Sequence, residues 1–491
     1  MMAAYRAPDR KKPHAPIAEK MAAYAADGAL AFHTPGHKQG KGAHEALRKL
    51  ITAEGLREEV SLMEELDDIH SPSGCIKEAE ELAARLYSAK AAYFMVNGTS
   101  GAIHTMLLAA LSPGDTVLVQ RNAHRSVYSA LVLLGARPIY LAPEVDERLG
   151  IAHGVALATI VCAIQRHPEA KAAVLVNPTY YGITTELDEI AEYLHNKGRL
   201  LLVDEAHGPH LAFCDRLPQD AIAAGADMAA QSTHKILGAM TQGSLLLANG
   251  DHVDYARIRE TTGILTTTSP NQLLLASIDI ARLQMEESGR EAIERTAALA
   301  EKLRQDINKI PGLWSPGKDD FSRAGAVGLD LTKVTVNLAG LTITAIEAEE
   351  ILRHSYKVQC ELSDPENLLF ILSYADSEKE TAVLLAALKD LAQKYLGKEK
   401  KPCTAAMPPL PKTKMSPREA FFAERESVSV KEAAGRIAAE EITCYPPGIP
   451  ALVPGDVVTE EVLRYLERMR KLGRRTIGAQ DADFEKVVVV K

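Results

Sequence analysis

The chain has 491 residues, which is too long for one compact core and predicts two or three domains. Its formal net charge of −9 argues against a broad nucleic-acid-binding surface, and its 46% hydrophobic content is typical of soluble globular proteins. The six scattered cysteines form no C-x-x-C pair, which argues against zinc ribbons and disulfide frameworks. No secretory signal and no apolar run of about 18 residues is evident, so a cytoplasmic protein without a membrane span is expected.

The first 75 residues are predicted to form an arm followed by two shaped loops. A short amphipathic helix is expected near Ile17–Ala26. Proline and glycine in Phe32–Gly40 and Glu65–Gly74 forbid a continuous helix or a central strand, so both segments are predicted as loops. A helix over Ile76–Tyr87 follows.

From residue 91 onward, short apolar runs alternate with helix-length periodic segments. This alternation predicts an α/β fold with a mainly parallel sheet and helices on both faces. The predicted strands are Ala91–Val96, Thr116–Gln120, Pro138–Leu141, Ala172–Val176, Leu200–Val203, Met228–Ala230 and Ser244–Ala248. The predicted helices are Gly101–Leu111, Ser126–Leu134, Gly154–Arg166 and Leu187–Asn196. Open α/β sheets bind ligands at the carboxyl ends of their strands, so the residues after each strand are the candidates for function.

Two of these strand ends suggest contacts to a phosphorylated, flat ligand. Asn97–Gly101 opens a helix, where backbone N–H groups and the hydroxyls of Thr99 and Ser100 would cradle a phosphate. A plain turn with Ser100 as helix cap fits the same residues equally well. His124 follows the next strand and could stack on a flat ring, although a loop histidine with ordinary partners is more common.

Two further strand ends carry opposite charges. Asp204 ends a buried strand, where its carboxylate needs a cationic partner; a structural salt bridge is the usual one, and a protonated pyridine nitrogen is a more specific one. Lys235 follows Met228–Ala230, and burial would lower its pKa and make its amine nucleophilic. A lysine at a strand end is more often a surface residue. The combination of phosphate loop, histidine, aspartate and lysine along one sheet nevertheless matches what pyridoxal 5'-phosphate (PLP) requires.

Nearly the whole chain resembles the fold-type-I Orn/Lys/Arg decarboxylases, in the short, Gram-positive-type form that lacks a receiver-like N-terminal domain. The resemblance is carried by HTPGHKQG (33–40), LDDIHSP (66–72), NGTS (97–100), NAHRS (122–126), NPTYYG (177–182), DEAHG (204–208), QSTHK (231–235), TTTSPN (266–271) and YPPGIPALVPGD (445–456).

The resemblance implies a role for each matching residue around PLP. Lys235 resembles the Schiff-base lysine, Asp204 the partner of the pyridine nitrogen, and His124 the ring-stacking base. Lys235 or His234 would reprotonate the substrate Cα. The remaining cofactor-binding residues are expected to be Gly98, Thr99, Ser100, Ala206 (beneath the ring), His207, Ser232 and His234, together with Thr268 and Ser269 supplied by the partner of a homodimer.

The resemblance also implies a substrate side that the C-terminal segment helps to line. The family usually has Glu where this chain has Asp456, and a shorter arm would leave more room for the distal cation of the substrate or require a water molecule. The other substrate-binding candidates are Glu440, Tyr445, His37, Asp67 and Asp68, and no metal is expected.

The expected domains are an N-terminal arm (1–75), a PLP-binding large domain (76–285), a small α+β domain (286–397), a linker (398–415) and a C-terminal domain (416–491). A long helix over 282–309 is predicted to link the first two lobes. Strands are predicted in the small domain at Ala326–Leu331, Thr335–Asn337 and Leu368–Ser373.

The expected function is PLP-dependent decarboxylation of a basic amino acid in polyamine biosynthesis. Arginine is favoured as substrate, with lysine or ornithine next, in a homo-oligomer that is at least a dimer with shared active sites. An aminotransferase of the same fold remains an alternative, and Arg353 could then clamp the α-carboxylate. A PLP-binding protein without turnover is the non-enzymatic alternative.

Overall fold

The computed structural model describes residues 12–61, 63–397, 408–445, 448–471, 475–481 and 483–491. A seven-stranded sheet forms the centre of the molecule. Its strands are β1 (Ala91–Met95), β2 (Thr116–Gln120), β3 (Arg137–Leu141), β4 (Ala172–Val176), β5 (Leu200–Asp204), β6 (Met228–Gln231) and β7 (Ser244–Ala248).

The spatial order of the strands is β1-β7-β6-β5-β4-β2-β3. Only β7 runs antiparallel to its neighbours in this sheet, and the other six strands run in one direction. The strands are almost continuously apolar because a hydrophobic cluster covers each face of the sheet. The predicted mainly parallel α/β architecture is confirmed.

Helices pack on both faces of the sheet. Of the helices named next, the first four precede the sheet in the chain, and the others lie between its strands or after the last strand. They are α1 (Pro16–Asp27), α2 (Glu45–Leu50), α3 (Ala53–Glu58), α4 (Cys75–Leu86), α5 (Gly98–Ala110), α6 (Arg125–Leu134), α7 (Leu157–Arg166), α8 (Leu187–His195), α9 (Thr233–Ile236) and α10 (Tyr255–Leu265). Two of these starts differ from the prediction by three residues: α5 begins at Gly98 rather than Gly101, and α7 begins at Leu157 rather than Gly154. Gly154 pairs with a distant segment instead, because its N–H donates to the carbonyl oxygen of Gly325 at 2.9 Å.

A single helix, α11 (Gln272–Ile307), connects the large sheet to a smaller lobe and is 36 residues long; it begins ten residues before the predicted start at 282. The smaller lobe contains an antiparallel sheet of β8 (Lys333–Asn337), β9 (Leu362–Ser363) and β10 (Asn367–Ile371), in the order β8-β10-β9. Helices α12 (Ala345–Ile351) and α13 (Glu378–Tyr395) complete it. The predicted strand Ala326–Leu331 is wrong as a part of this sheet, because only Gly328–Leu329 is a strand and it pairs with Ile183–Thr184 instead.

The C-terminal segment forms a third unit with its own buried cluster. It contains α14 (Pro417–Phe422), β11 (Arg425–Ser429), β12 (Ile442–Tyr445), β13 (Ile449–Leu452), α15 (Glu460–Lys471), β14 (Arg475–Ile477) and β15 (Lys486–Val490). β11 pairs with β15, and β12 lies between β13 and β14. Within the described residues, none of the helices has the length and apolar character needed to cross a membrane.

Candidate active site

The carboxyl edge of the sheet brings together the residues that the sequence singles out. Asp204 ends β5, His124 follows β2, and Lys235 lies on the short α9 just after β6. These strands are parallel, so their carboxyl ends meet at one edge of the sheet. The three side chains interact electrostatically: His124 and Lys235 both stabilise the carboxylate form of Asp204.

The amine of Lys235 lies among aromatic and imidazole rings. Its Nζ is 2.9 Å from the Nε2 of His207 and 6.0 Å from the ring centroid of Tyr180. Solvent still reaches the side chain. Partial burial lowers the pKa of Lys235, even though Asp204 and Glu361 oppose that shift. A lowered pKa raises the fraction of neutral amine, which is the nucleophilic form.

Asp204 is a buried acid, with 3% of its surface exposed. Its Oδ1 accepts a hydrogen bond from the backbone N–H of Ala206 at 3.1 Å, and no side chain among the described residues donates one to it. Burial raises the pKa of Asp204, while His124 and Lys235 act to lower it. The carboxylate therefore has room for one further donor, of positive charge.

A cluster of hydroxyl groups lies at the N-terminus of α5. The buried Thr99 hydroxyl makes a short hydrogen bond with that of Ser232 and a second one, of 2.9 Å, with that of Ser244. Gly98 has a φ of +69° with open space above it, and Asn97 places no side-chain cap on the helix. Ser100 is exposed. Uncapped N–H groups at a helix start favour a bound anion.

Two further histidines have their ring orientations fixed by local contacts. His124 caps α6: its Nδ1 accepts from the N–H of Ser126 at 3.3 Å and lies 2.8 Å from the hydroxyl of the same residue. Burial lowers the pKa of His124, which favours the neutral ring. The Nδ1 of His234 lies 2.8 Å from the carbonyl oxygen of Gly243, so Nδ1 carries a hydrogen and donates it to that oxygen.

Three side chains near Lys235 were missed by the sequence reasoning. Lys333 opens β8 and places its Nζ 3.1 Å from the Nδ1 of His207. The Tyr180 ring lies 4.5 Å from the His207 ring, and its hydroxyl donates to the carboxylate of Glu361. Tyr180 belongs to the NPTYYG segment, but only the fold brings it to Glu361. A lysine at the start of a strand that continues as Val-Thr-Val was the available signal for Lys333.

The structure gives most predicted substrate-binding carboxylates other partners. Asp456 is fully buried in an ion pair with Arg121, at 2.6 Å, and also accepts hydrogen bonds from Thr413 and from the N–H of Val453. Both oxygens of Glu440 accept backbone N–H groups, from Gln480 and Val488, each at 2.7 Å. Neither carboxylate is free to meet a substrate cation, which differs from the expectation.

The N-terminal candidates also have local partners. Asp67 accepts hydrogen bonds from the backbone N–H groups of Asp68, Ser73, Gly74, Ile76 and Lys77. Asp68 accepts from the N–H of His70 at 2.9 Å. His37 lies 2.7 Å from a carboxylate oxygen of Glu59 and accepts from the N–H of Gly40.

The remaining candidates lie at the surface or outside the described part of the chain. Thr268 and Ser269 are exposed on the segment between α10 and α11. Arg353, the possible carboxylate clamp of an aminotransferase, is exposed in the turn Leu352–Tyr356. The side chain of Tyr445 lies outside the described residues.

Comparisons with known proteins place the chain in one family. The model of the Orn/Lys/Arg decarboxylase major domain matches residues 15–318, and that of the Orn/Lys/Arg decarboxylase C-terminal domain matches residues 400–481. An arginine decarboxylase of Halalkalibacterium halodurans is 41% identical over 478 residues, which cover 97% of each chain. The lysine decarboxylase LdcA of Pseudomonas aeruginosa is 28% identical, covering 94% of this chain and 77% of the relative.

A solved structure extends the likeness to the whole fold. The lysine decarboxylase LdcF of Francisella novicida superposes with a TM-score of 0.85 at 24% identity and covers 98% of this chain and 81% of that one. The family models and the 41% identical relative both extend well beyond the sheet and its edge residues. The chain therefore belongs to the Orn/Lys/Arg decarboxylase family.

Proposed function

We propose that the protein is a PLP-dependent decarboxylase of arginine. One observation carries the proposal: a lysine with a lowered pKa, a buried aspartate that lacks a side-chain donor and a neutral histidine converge at one edge of the sheet. The family supports decarboxylation of a basic amino acid. The 41% identical relative, named an arginine decarboxylase, supports arginine over lysine.

The residues present fit PLP. The pyridine nitrogen, when protonated, is the cationic donor that the buried Asp204 lacks. The uncapped start of α5, with the hydroxyls of Thr99, Ser100 and Ser232, fits a phosphate group. When bound, PLP supplies a carbonyl that condenses with an amine and a ring that accepts electrons as the Cα–carboxylate bond breaks.

Each side chain of the site then has a defined task. Lys235 would hold the cofactor through its neutral amine, and Asp204 would keep a proton on the ring nitrogen. His124 presents a flat neutral ring for stacking, because Ser126 holds its Nδ1. Lys235 or His234 returns a proton to the substrate Cα after carbon dioxide has left.

Glu361 replaces Asp456 as our candidate for binding the distal cation of the substrate. Its carboxylate is exposed, is held by the hydroxyl of Tyr180, and interacts electrostatically with Lys235. A guanidinium group pairs well with a carboxylate because two parallel N–H groups of the guanidinium can donate to the two carboxylate oxygens. We further propose a homodimer in which the exposed Thr268 and Ser269 complete the site of the partner.

The test is release of carbon dioxide from arginine, lysine and ornithine by the purified full chain with PLP. We expect arginine to be the best substrate and the Lys235→Ala variant to lose both turnover and the visible absorption band of the bound cofactor. Inactivity toward all three amino acids would overturn the decarboxylase assignment. Transfer of the amino group to a keto acid, without carbon dioxide, would instead support an aminotransferase.

A further inference from the structure

The imidazole of His207 lies between two lysine amines. Its Nε2 is 2.9 Å from the Nζ of Lys235, and its Nδ1 is 3.1 Å from the Nζ of Lys333. His207 is buried, and burial together with the two lysines holds its pKa well below the usual value. The ring is therefore neutral and has one N–H donor and one acceptor.

Lys333 is buried along its whole length, and solvent does not reach its amine. Its side chain is fully buried and runs past Gly182, where a Cβ atom would meet the Lys333 Cγ at 2.7 Å. A buried cation is costly unless an anion lies near it. Burial lowers the pKa of Lys333 to about 8, and the nearby carboxylate of Asp330 opposes that shift.

Asp330 is itself held as an anion. Burial raises its pKa, but His210, Lys333 and Thr332 outweigh burial and lower the pKa to about 2. The Nε2 of His210 lies 3.1 Å from its Oδ1, and the Thr332 hydroxyl donates to the same oxygen at 2.8 Å. Asp330 is thus an ionised carboxylate close to Lys333 at neutral pH.

The number of hydrogens available for the two contacts restricts the charges that Lys235, His207 and Lys333 can carry together. An ammonium group only donates, and a neutral imidazole accepts at one nitrogen only. If Lys333 donates to Nδ1, then Nε2 carries the hydrogen and Lys235 must be a neutral amine to accept it. If Lys235 donates to Nε2, then Lys333 must be the neutral one. Both contacts are satisfied only when at least one of the two lysines is a neutral amine, and the ionised Asp330 favours a positive charge on the other.

We propose that Lys333 is a positioning residue, which at neutral pH carries a positive charge beside Asp330 and, through His207, keeps Lys235 as a neutral amine with a hydrogen bond to its lone pair. The proposal rests on the proposed function only in taking Lys235 as the cofactor-binding lysine. The opposite arrangement, with the charge on Lys235 and a hydrogen on Nδ1, converts to this one when Lys235 passes a proton to Nε2 and Nδ1 passes its proton to Lys333, so that the number of protons is conserved.

The groups that face the two lysines determine which one holds the charge. Lys333 faces the ionised and buried Asp330, and Lys235 faces the buried Asp204, whose charge is shared with His124. Glu361 acts on both lysines and is screened by solvent because it is exposed. Burial raises the pKa of Asp204, whereas the pKa of Asp330 is lowered to about 2, so Asp330 is the more firmly ionised acid and the charge is expected on Lys333.

The test is the rate at which acetic anhydride acylates Lys235 in the full chain freed of PLP, measured by peptide mass spectrometry from pH 6 to 10. The exposed Lys197 serves as internal standard. In Lys333→Met we expect Lys235 to become protonated more readily and to be acylated about tenfold more slowly at pH 7, which corresponds to a rise of about one pKa unit. Lys333→Arg retains a permanent cation and is expected to keep the fast rate.

The matched control is Lys302→Met, which removes an exposed lysine paired with Glu378 and is expected to leave the Lys235 profile unchanged. An unchanged Lys235 profile in folded Lys333→Met would overturn the proposal. If that variant does not fold, the nitrogen chemical shifts of His207 in the unaltered chain decide: a proton on Nε2 at pH 7 supports the proposal, and a proton on Nδ1 overturns it. Failure of PLP to attach to Lys235 would refute the proposed function and would not change either result.

Discussion

His124 and His207 lie near the same lysine, but the other charged groups around them differ. Burial lowers the pKa of both rings. His124 also faces Asp204, which opposes that shift, whereas His207 faces two lysines, which increase it. The His207 ring is therefore the one held most firmly in the neutral state, and it is the one in contact with the Lys235 amine.

At the residue scale, the role of Glu361 is directly testable. Loss of a hydrogen bond to a charged group costs about 1.5–3 kcal/mol, so Glu361→Gln is expected to raise KM for arginine by about tenfold or more, with a smaller effect on kcat. Steady-state kinetics measure both constants. Glu350→Gln, on the exposed face of α12, is the control and should change neither. A normal KM in Glu361→Gln would remove Glu361 from the substrate site.

His153 predicts a second effect, on acid stability. The ring is fully buried, and neither nitrogen has a hydrogen-bond partner among the described residues. Burial, opposed by Asp146, lowers its pKa to about 4. The unfolded chain binds a proton more readily, with a pKa near 6.5, so His153 contributes to a loss of stability as the pH falls from about 6.5 to 4.

His153→Leu is expected to remove that contribution, which reaches on the order of 3 kcal/mol at pH 4. Denaturant unfolding at pH 7 and pH 4.5 measures it, as the difference between the variant and the unaltered chain. The exposed His354 provides the control variant His354→Leu. An equal loss of stability on acidification in both variants would contradict the account of His153.

At the scale of single elements, Asp67 organises the start of α4. Its carboxylate accepts five backbone N–H groups, including those of Ile76 and Lys77 in the first turn of the helix. The residue has a φ of +66° and a ψ of 174°, a conformation that residues other than glycine rarely adopt, so these hydrogen bonds hold a strained backbone. Burial raises the pKa of Asp67, but these donors outweigh it and lower the pKa.

Asp67→Ala is therefore expected to reduce the free energy of unfolding at pH 7 by about 2–3 kcal/mol. The stabilisation is present above the unfolded-state pKa of about 3.9 and is lost as the pH falls through the lower folded-state value. Chemical denaturation at pH 7 and pH 3 measures it, and the two proteins should converge at the acid end. Asp68→Ala, which removes one hydrogen-bond acceptor, should have a smaller effect.

Strands and helices could be predicted where the residues of one segment indicate by themselves how it is buried. The strands from Ala172–Val176 to Ser244–Ala248 are apolar because they are covered on both faces, so their sequence shows it directly. Ala326–Leu331 is also largely apolar apart from Asp330, but its pairing depends on Ile183–Thr184, a distant segment. No local pattern contains that information.

At the scale of the whole molecule, a buried ion pair joins the C-terminal unit to the large sheet. Arg121 follows β2, and its guanidinium donates to the carbonyl of Pro450 and to the carboxylate of Asp456. Its aliphatic and planar parts lie against Tyr140. The contact fixes the C-terminal unit close to the loop that carries His124.

Breaking one side of this pair leaves the other charge buried without a partner. Asp456→Leu or Arg121→Met alone is expected to lower the free energy of unfolding by about 3–5 kcal/mol, and the double variant by clearly less than the sum. A double-mutant cycle in urea measures the coupling. Additive effects of the two single changes would show that the pair does not join the units energetically.

The separation of residues along the chain explains which parts of the site could be predicted from the sequence. Asp204, His124 and Lys235 were grouped correctly because the carboxyl ends of parallel strands must share an edge. Asp456 lies 335 residues from the arginine that buries it, and Lys333 lies 126 residues from His207. Their surroundings are set by the packing of separate units, which single-segment patterns do not contain.

The helix α11 has a mechanical consequence for the two lobes. Residues from Leu274 to Ala297 pack in the core beneath the large sheet, and Ala300 to Ile307 pack in the core of the smaller lobe. At about 1.5 Å per residue, α11 is roughly 54 Å long and runs without interruption from one core to the other. The two lobes therefore cannot rotate apart at their junction unless this helix bends. The distance between Lys333 and His207 is thus maintained by a continuous helix rather than by a loop.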